Sequence, residues 1–177
     1  MEKVDLKGKR KIEDVYESQD VPRHHCLGNC NHDVPVVQFA PPDPKLLSMY
    51  LKPKIDNPEI KFELMPCIPD VDVYKYHPEK LLEKYQQKPA YFYTKRTMKY
   101  PNGKRPNRNV KGRGYWRMIT KTEPVMAGNT EVGEKSGLVF HTGRREDCKR
   151  ITETNWLMEE YHIPGSDWTL CWIYLNI

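Results

Sequence analysis

The segment Trp168-Thr169-Leu170-Cys171-Trp172-Ile173-Tyr174-Leu175 is apolar on both sides when read as a strand. Trp168, Leu170, Trp172 and Tyr174 share one face, while Cys171, Ile173 and Leu175 share the other. Successive side chains of a strand point to opposite faces, so this strand must be buried on both. It predicts a sheet built around an interior strand, in a chain of 177 residues that suffices for one domain with a modest core and a tail.

The remaining pattern fits such a sheet. Ala90-Tyr91-Phe92-Tyr93-Thr94 is rich in strand formers, and further strands are expected over 114–119, 137–141 and 155–163. Tyr100-Pro101-Asn102-Gly103 carries the Asn-Gly pair that favours a tight hairpin turn. Two short amphipathic helices are expected at the edge of the sheet. The first begins with Asp43 as N-cap and Pro44 at N1, carries Leu46, Leu47, Tyr50 and Leu51, and stops at Pro53; the second begins at Pro78 and carries Leu81, Leu82 and Tyr85. The connection from Thr120 to Lys135, with Gly128 and Gly133, reads as a mobile loop.

Charge is strongly segregated. Between Lys88 and Lys121 lie eleven of the 29 Lys and Arg side chains and none of the 24 acids, so the rest of the chain is net acidic although the whole carries +5. A local positive field of this kind suits a polyanion-binding face. Within it, Lys95, Arg96, Lys99, Arg105, Arg108, Lys111, Arg113, Arg117, Thr120 and Lys121 are the candidate side chains for binding such a polyanion.

Residues 1–35 mix charge and polarity with little periodicity and read as a disordered arm, leaving 36–177 as the folded domain. Inside the arm, Lys7-Gly8-Lys9-Arg10-Lys11 fits either a nuclear-localisation patch or a solvated charge run. His24, His25, Cys26, Cys30 and His32 crowd into one tight loop without the second, distant ligand pair of a structural zinc site, so no metal and no cofactor is expected. Five scattered cysteines form no disulfide framework and are expected to be reduced. The chain lacks an apolar run of membrane-span length, and Met1-Glu2-Lys3-Val4-Asp5 does not open a signal peptide, so no membrane partner is expected.

Several motifs then fall in a recognisable order. Ile68-Pro69-Asp70-Val71-Asp72-Val73-Tyr74-Lys75, Tyr91-Phe92-Tyr93, Lys99-Tyr100-Pro101-Asn102-Gly103-Lys104-Arg105-Pro106-Asn107-Arg108, Gly114-Tyr115-Trp116-Arg117, Leu138 to Arg144, Thr154 to Tyr161 and Asp167 to Tyr174 together resemble the plant NAC transcription-factor domain, over most of the chain from Val36. The resemblance implies a mainly β, α+β fold, a twisted antiparallel semi-barrel sheet flanked by a few short helices. It also implies a nuclear protein that binds double-stranded DNA by inserting a strand edge into the major groove. The family's backbone-gripping basic residues fall on Lys99, Arg105, Arg108 and Arg117. Arginine and lysine on phosphates would supply affinity, and a few side chains on base edges would supply sequence choice.

The chain departs from that pattern in two places. After Trp116 the family usually runs Lys-Ala-Thr-Gly, one further residue, Asp and a basic residue, whereas this chain has Arg117-Met118-Ile119-Thr120-Lys121-Thr122-Glu123. Met118 and Ile119 can touch a thymine methyl but cannot donate to a purine edge, Glu123 would repel a phosphate, and Pro124 should break the strand. Near the start, Gln38, Pro44 and Lys45 stand where the family's dimer-forming ion pair resides, so that lock is missing from any homodimer or heterodimer with NAC proteins. The chain ends at Ile177, where family members typically continue into a disordered regulatory tail, and no activation segment is visible.

Sequence-selective DNA binding in transcription regulation is the first reading. The alternative is a NAC-fold interaction protein with weak or non-specific DNA binding that modulates other transcription factors. An enzyme is not expected. His77, His141 and His162 assemble no catalytic set by spacing, Cys148 shows no thiol motif, and Gly112-Arg113-Gly114 is too short to cradle phosphate. Among the tryptophans, Trp156, Trp168 and Trp172 read as core, and Trp116 as a support for Arg117 near DNA.

Overall fold

In the computed structural model, seven strands form one antiparallel sheet: β1 (Ala90–Lys95), β2 (Asn109–Val110), β3 (Gly114–Met118), β4 (Glu123–Ala127), β5 (Thr130–Thr142), β6 (Thr152–His162) and β7 (Trp168–Leu175). The structure describes residues 39–59, 68–86, 90–103, 105–143 and 151–177. The arm 1–35 with its basic patch and its His/Cys cluster, Gln38, Lys88, Lys104, Arg144 and Cys148 lie outside the described residues.

The sheet runs in the order β1-β7-β6-β5-β3-β2, with β4 paired to β5 beyond the end of β3, and it curls into the antiparallel half-barrel expected from the sequence. β7 occupies the residues predicted for it and is interior, between β1 and β6. Its two faces enter different apolar clusters. Cys171 and Ile173 pack with Phe92, Leu138, Phe140 and Met158 on one side, while Leu170 packs with Tyr91, Tyr93 and Tyr161 on the other. Cys171 is a free, fully buried thiol whose pKa burial pushes up.

The helices lie on the faces of this sheet and not at its edge, because both faces are apolar and need cover. One face is covered by α1 (43–56), whose Leu46, Leu47, Tyr50 and Leu51 are buried. The other is covered by a 3-10 turn (Val73–Lys75) and by α2 (Pro78–Tyr85), which bury Val73, Tyr74 and Leu81. For α2 the expected start is correct: His77 is the N-cap, its Nδ1 accepting from the Glu79 N–H at 3.3 Å, and Pro78 opens the first turn.

α1 differs from expectation at both ends. Pro42 is its N-cap and Asp43 its first residue, and it continues through Pro53 to Asp56. An α-helical turn (Asp43–Lys45) widens into a π-helical stretch (Leu46–Leu51), where the Lys52 N–H bonds to Leu47, five residues back. Pro53 therefore stands in the first turn of a new α-helical register, Lys52–Asp56, where its missing N–H removes no existing bond. The N-terminus of α1 is tied to the sheet through Asp43, which accepts from Lys135 Nζ at 2.7 Å and from the Tyr161 hydroxyl at 2.8 Å.

The supposed mobile loop from Thr120 to Lys135 is mostly a hairpin. β4 and the first half of β5 pair from Glu123 with Lys135 to Ala127 with Thr130, turning at Gly128 with φ +62°. Pro124 does not break β4, because β4 pairs with β5 on one side only, and an edge strand leaves room for a residue that cannot donate.

A close approach fixes the entry to β3. Gly114 has φ +148°, and a Cβ there would overlap the His141 carbonyl oxygen and come within 2.8 Å of Phe140 Cζ. Gly114→Ala is expected to cost about 2 kcal/mol or more, against about 1 kcal/mol for Gly112→Ala, whose φ is +71° but whose surroundings are open. Urea denaturation of the two variants checks this, and equal losses would show that the contact with β5 is not tight.

Candidate nucleic-acid interface

β1 ends at Lys95, and the chain then makes a short loop before returning as β2. Its stems are joined by backbone bonds from Lys99 N–H to Arg105 O and from Asn107 N–H to Thr97 O, at 2.9 and 2.7 Å. The tip closes through a Gly103 N–H to Tyr100 O bond at 3.0 Å. The turn thus forms where expected, but Pro101 and Asn102 take its centre and Gly103 its last position. Gly103 has no left-handed φ, so the conformation is not the one that Asn-Gly at the centre would impose.

This loop and the β3 strand face each other across a cleft of about 400 Å3. Lys99, Arg105, Arg108 and Arg117 line it together with Trp116 and Met118. The other predicted side chains lie outside it. Lys95 is exposed at the end of β1, its Nζ 5.0 Å from the Trp168 ring centre. Lys111 and Arg113 are exposed in the turn between β2 and β3, and Lys121 is exposed in the link from β3 to β4. Thr120 is exposed, but its hydroxyl oxygen accepts from the Gly137 N–H at 2.7 Å and holds that link to β5.

Two of the predicted arginines are committed to a carboxylate that sequence reading overlooked. Glu160, on β6 with no side-chain exposure, accepts from Arg96 Nη2 at 2.7 Å, from Arg108 Nη2 at 2.8 Å and from the Tyr74 hydroxyl at 2.5 Å. Burial raises its pKa, but Arg108 and Arg96 more than reverse that, leaving the carboxyl below the usual range. Arg96 and Arg108 flank the loop, so a single carboxylate anchors both its stems. A signal did exist: period-two alternation puts Glu160 on the same side of β6 as Met158, and an acid on a buried face requires a cationic partner. Spacing could not say which partner, since Arg96 and Arg108 are distant in sequence.

Trp116 also differs from expectation. It is the largest fully buried side chain and packs on Phe140 with ring centres 5.2 Å apart, so its main role is in the core. The residue still borders the cleft.

The family model described as No apical meristem (NAM) protein matches residues 34–163. The chain belongs to the NAC family. Among similar NAC proteins, NAC domain-containing protein 2 of Solanum lycopersicum is 36% identical, over 82% of this chain and 56% of its own length. NAC domain-containing protein 72 of Arabidopsis thaliana is 38% identical, over 79% and 49%. Transcription factor JUNGBRUNNEN 1 of Arabidopsis thaliana is 35% identical, over 81% and 54%. The chain therefore spans about half the length of these NAC relatives. Within the NAC domain, the loop basics and Arg117 share one cleft, and the residues that depart from the NAC pattern, Met118 onward, begin at its rim.

Proposed function

We propose that this NAC domain binds double-stranded DNA in a nuclear regulator of transcription, with Lys99, Arg105 and Arg117 on the phosphates. The observation that carries the reading is the convergence of four basic side chains on one cleft, within a stretch of chain that contains no carboxylate. Lys95, Lys111, Arg113 and Lys121 are exposed outside it and add to the positive charge of the same stretch of chain. Arg108 lines the cleft while paired to Glu160, and Arg96 holds the other stem; both act chiefly by positioning the loop. Thr120 positions the β3–β4 link in the same way. The reading involves no catalytic step and no cofactor. The name of one relative, a transcription factor, points the same way.

A second reading, an interaction protein with weak DNA binding that pairs with other NAC proteins, draws on Met118 and Ile119, which are exposed and apolar beside the cleft. A salt titration of binding to a random-sequence duplex tests the phosphate contacts that the first reading requires. Cations released from the duplex make log K fall linearly with log salt, by about 0.9 per phosphate neutralised. A slope of about −3 or steeper is expected, and a flat dependence would remove DNA binding from this face. Selection from random duplexes separates the two readings, since a strong recovered motif excludes the second.

A further inference from the structure

We infer that Met118 and Ile119 are specificity residues that read thymine methyl groups, an assignment that rests on the DNA-binding reading above. Residues 117 to 124 are exposed without interruption. They run along the margin of the sheet where β2, which pairs only with the first two residues of β3, no longer covers it. Within this strip Met118 is 39% and Ile119 55% exposed, and exposed Arg117 and Lys121 bracket them. Met118 also borders the cleft that holds Lys99, Arg105 and Arg108. Bound phosphates would therefore draw the bases toward two apolar side chains.

The strip is held firmly for such a task. The Ile119 and Thr120 N–H groups both point to the Gly137 carbonyl at 2.9 and 3.4 Å, the Gly137 N–H returns a bond to the Thr120 hydroxyl, and Thr122 bonds to Ser136 at 3.0 Å. A Cβ on Gly137 would lie 3.1 Å from the Thr120 side chain, which leaves little freedom to shift. Fixing the backbone beforehand lowers the ordering cost on binding. The major groove admits a two-stranded ribbon, and thymine is the base that presents an apolar group there. Neither side chain has a hydrogen-bonding group suited to a purine edge. Two apolar residues bracketed by Arg117 and Lys121 also form a patch far smaller than those that usually mark protein contacts, and the one acid of the strip, Glu123, lies beyond Lys121 at the start of β4.

The test compares an alternating A·T duplex with the same duplex carrying deoxyuridine for thymine, against the wild-type domain and a Met118→Ala, Ile119→Ala variant whose folding is verified by denaturation. Wild type is expected to lose about fourfold in affinity for each methyl contacted, the ratio that corresponds to about 0.8 kcal/mol per buried carbon. The variant should bind both duplexes equally, with an unchanged salt slope. Equal binding of the two duplexes by wild type overturns the inference while leaving phosphate binding intact. So does a variant that keeps the thymine preference, or one that keeps it while shifting a dimer to monomer, which would make the strip a contact between copies. Absence of binding to either duplex removes the DNA reading and this inference with it.

Discussion

Replacing Glu160 with alanine is expected to destabilise the domain by about 3–5 kcal/mol, measured as a lower midpoint in chemical denaturation. The size comes from what is left behind more than from the net worth of the pairing. Arg96 and Arg108 have side chains only 14% and 12% exposed and converge on the same carboxylate oxygen, so alanine would strand two guanidinium groups without a counter-charge and leave the Tyr74 hydroxyl without its acceptor. Glu160→Gln keeps the shape and removes the charge, so its loss should be smaller. Because the carboxyl titrates lower in the folded chain than in the unfolded one, its contribution is fully present above about pH 4.3, the ordinary glutamate value, and is lost as pH falls through the folded pKa. The stability gap between wild type and the glutamine variant should therefore be constant near neutrality and narrow in acid. A gap below about 1 kcal/mol at pH 7, or one that is insensitive to acid, would mean that the ion cluster does not hold this part of the fold.

A triple variant, Lys99→Ala, Arg105→Ala and Arg117→Ala, is expected to lose about 500-fold in DNA affinity at 0.1 M salt, with the salt slope reduced by about three. Each neutralised phosphate contributes about eightfold at that concentration relative to 1 M, and the three contributions multiply if the sites act independently. Arg105 and Arg117 are exposed and Lys99 is half-buried, and no ion pair holds any of them to an acid among the described residues. Folding stability should change little. Arg96→Ala should show the opposite profile, losing stability with little change in slope, because its guanidinium faces Glu160. If Arg96→Ala instead flattened the slope as much as the triple variant, the division between anchoring and phosphate-binding basics would be wrong.

How far the sequence reveals this arrangement depends on the range of the interaction responsible. β7 was legible to the residue because its alternation is local and apolar on both faces. The start of α2 was legible because its cap and proline are adjacent. α1 was cut short at Pro53 because a change of helical register depends on bonds to Leu47 and not on the proline alone. The β4–β5 hairpin looked like a loop because its glycines and Pro124 weigh against strand in any local window, while the long central strand β5 supplies the pairing. At the site, four of the ten named side chains, Lys99, Arg105, Arg108 and Arg117, line one cleft, but charge counting treats all arginines alike. It could not separate Arg105, which is exposed, from Arg108, which Glu160 holds from across the sheet.

β1 pairs along its length with β7, and among the described residues its other edge is bridged only at Tyr93, by backbone bonds with Pro69 and Val71. During synthesis the ribosome releases Ala90-Tyr91-Phe92-Tyr93 well before Trp168 to Leu175, and at about 5–20 residues per second the wait lasts several seconds. Throughout that interval an aromatic strand bridged only at Tyr93, by backbone bonds with Pro69 and Val71, leaves its β7 edge open to any other strand. The nascent chain thus has a window of vulnerability to misassembly, one that closes only when β7 emerges and docks, and that a chaperone holding β1 would cover.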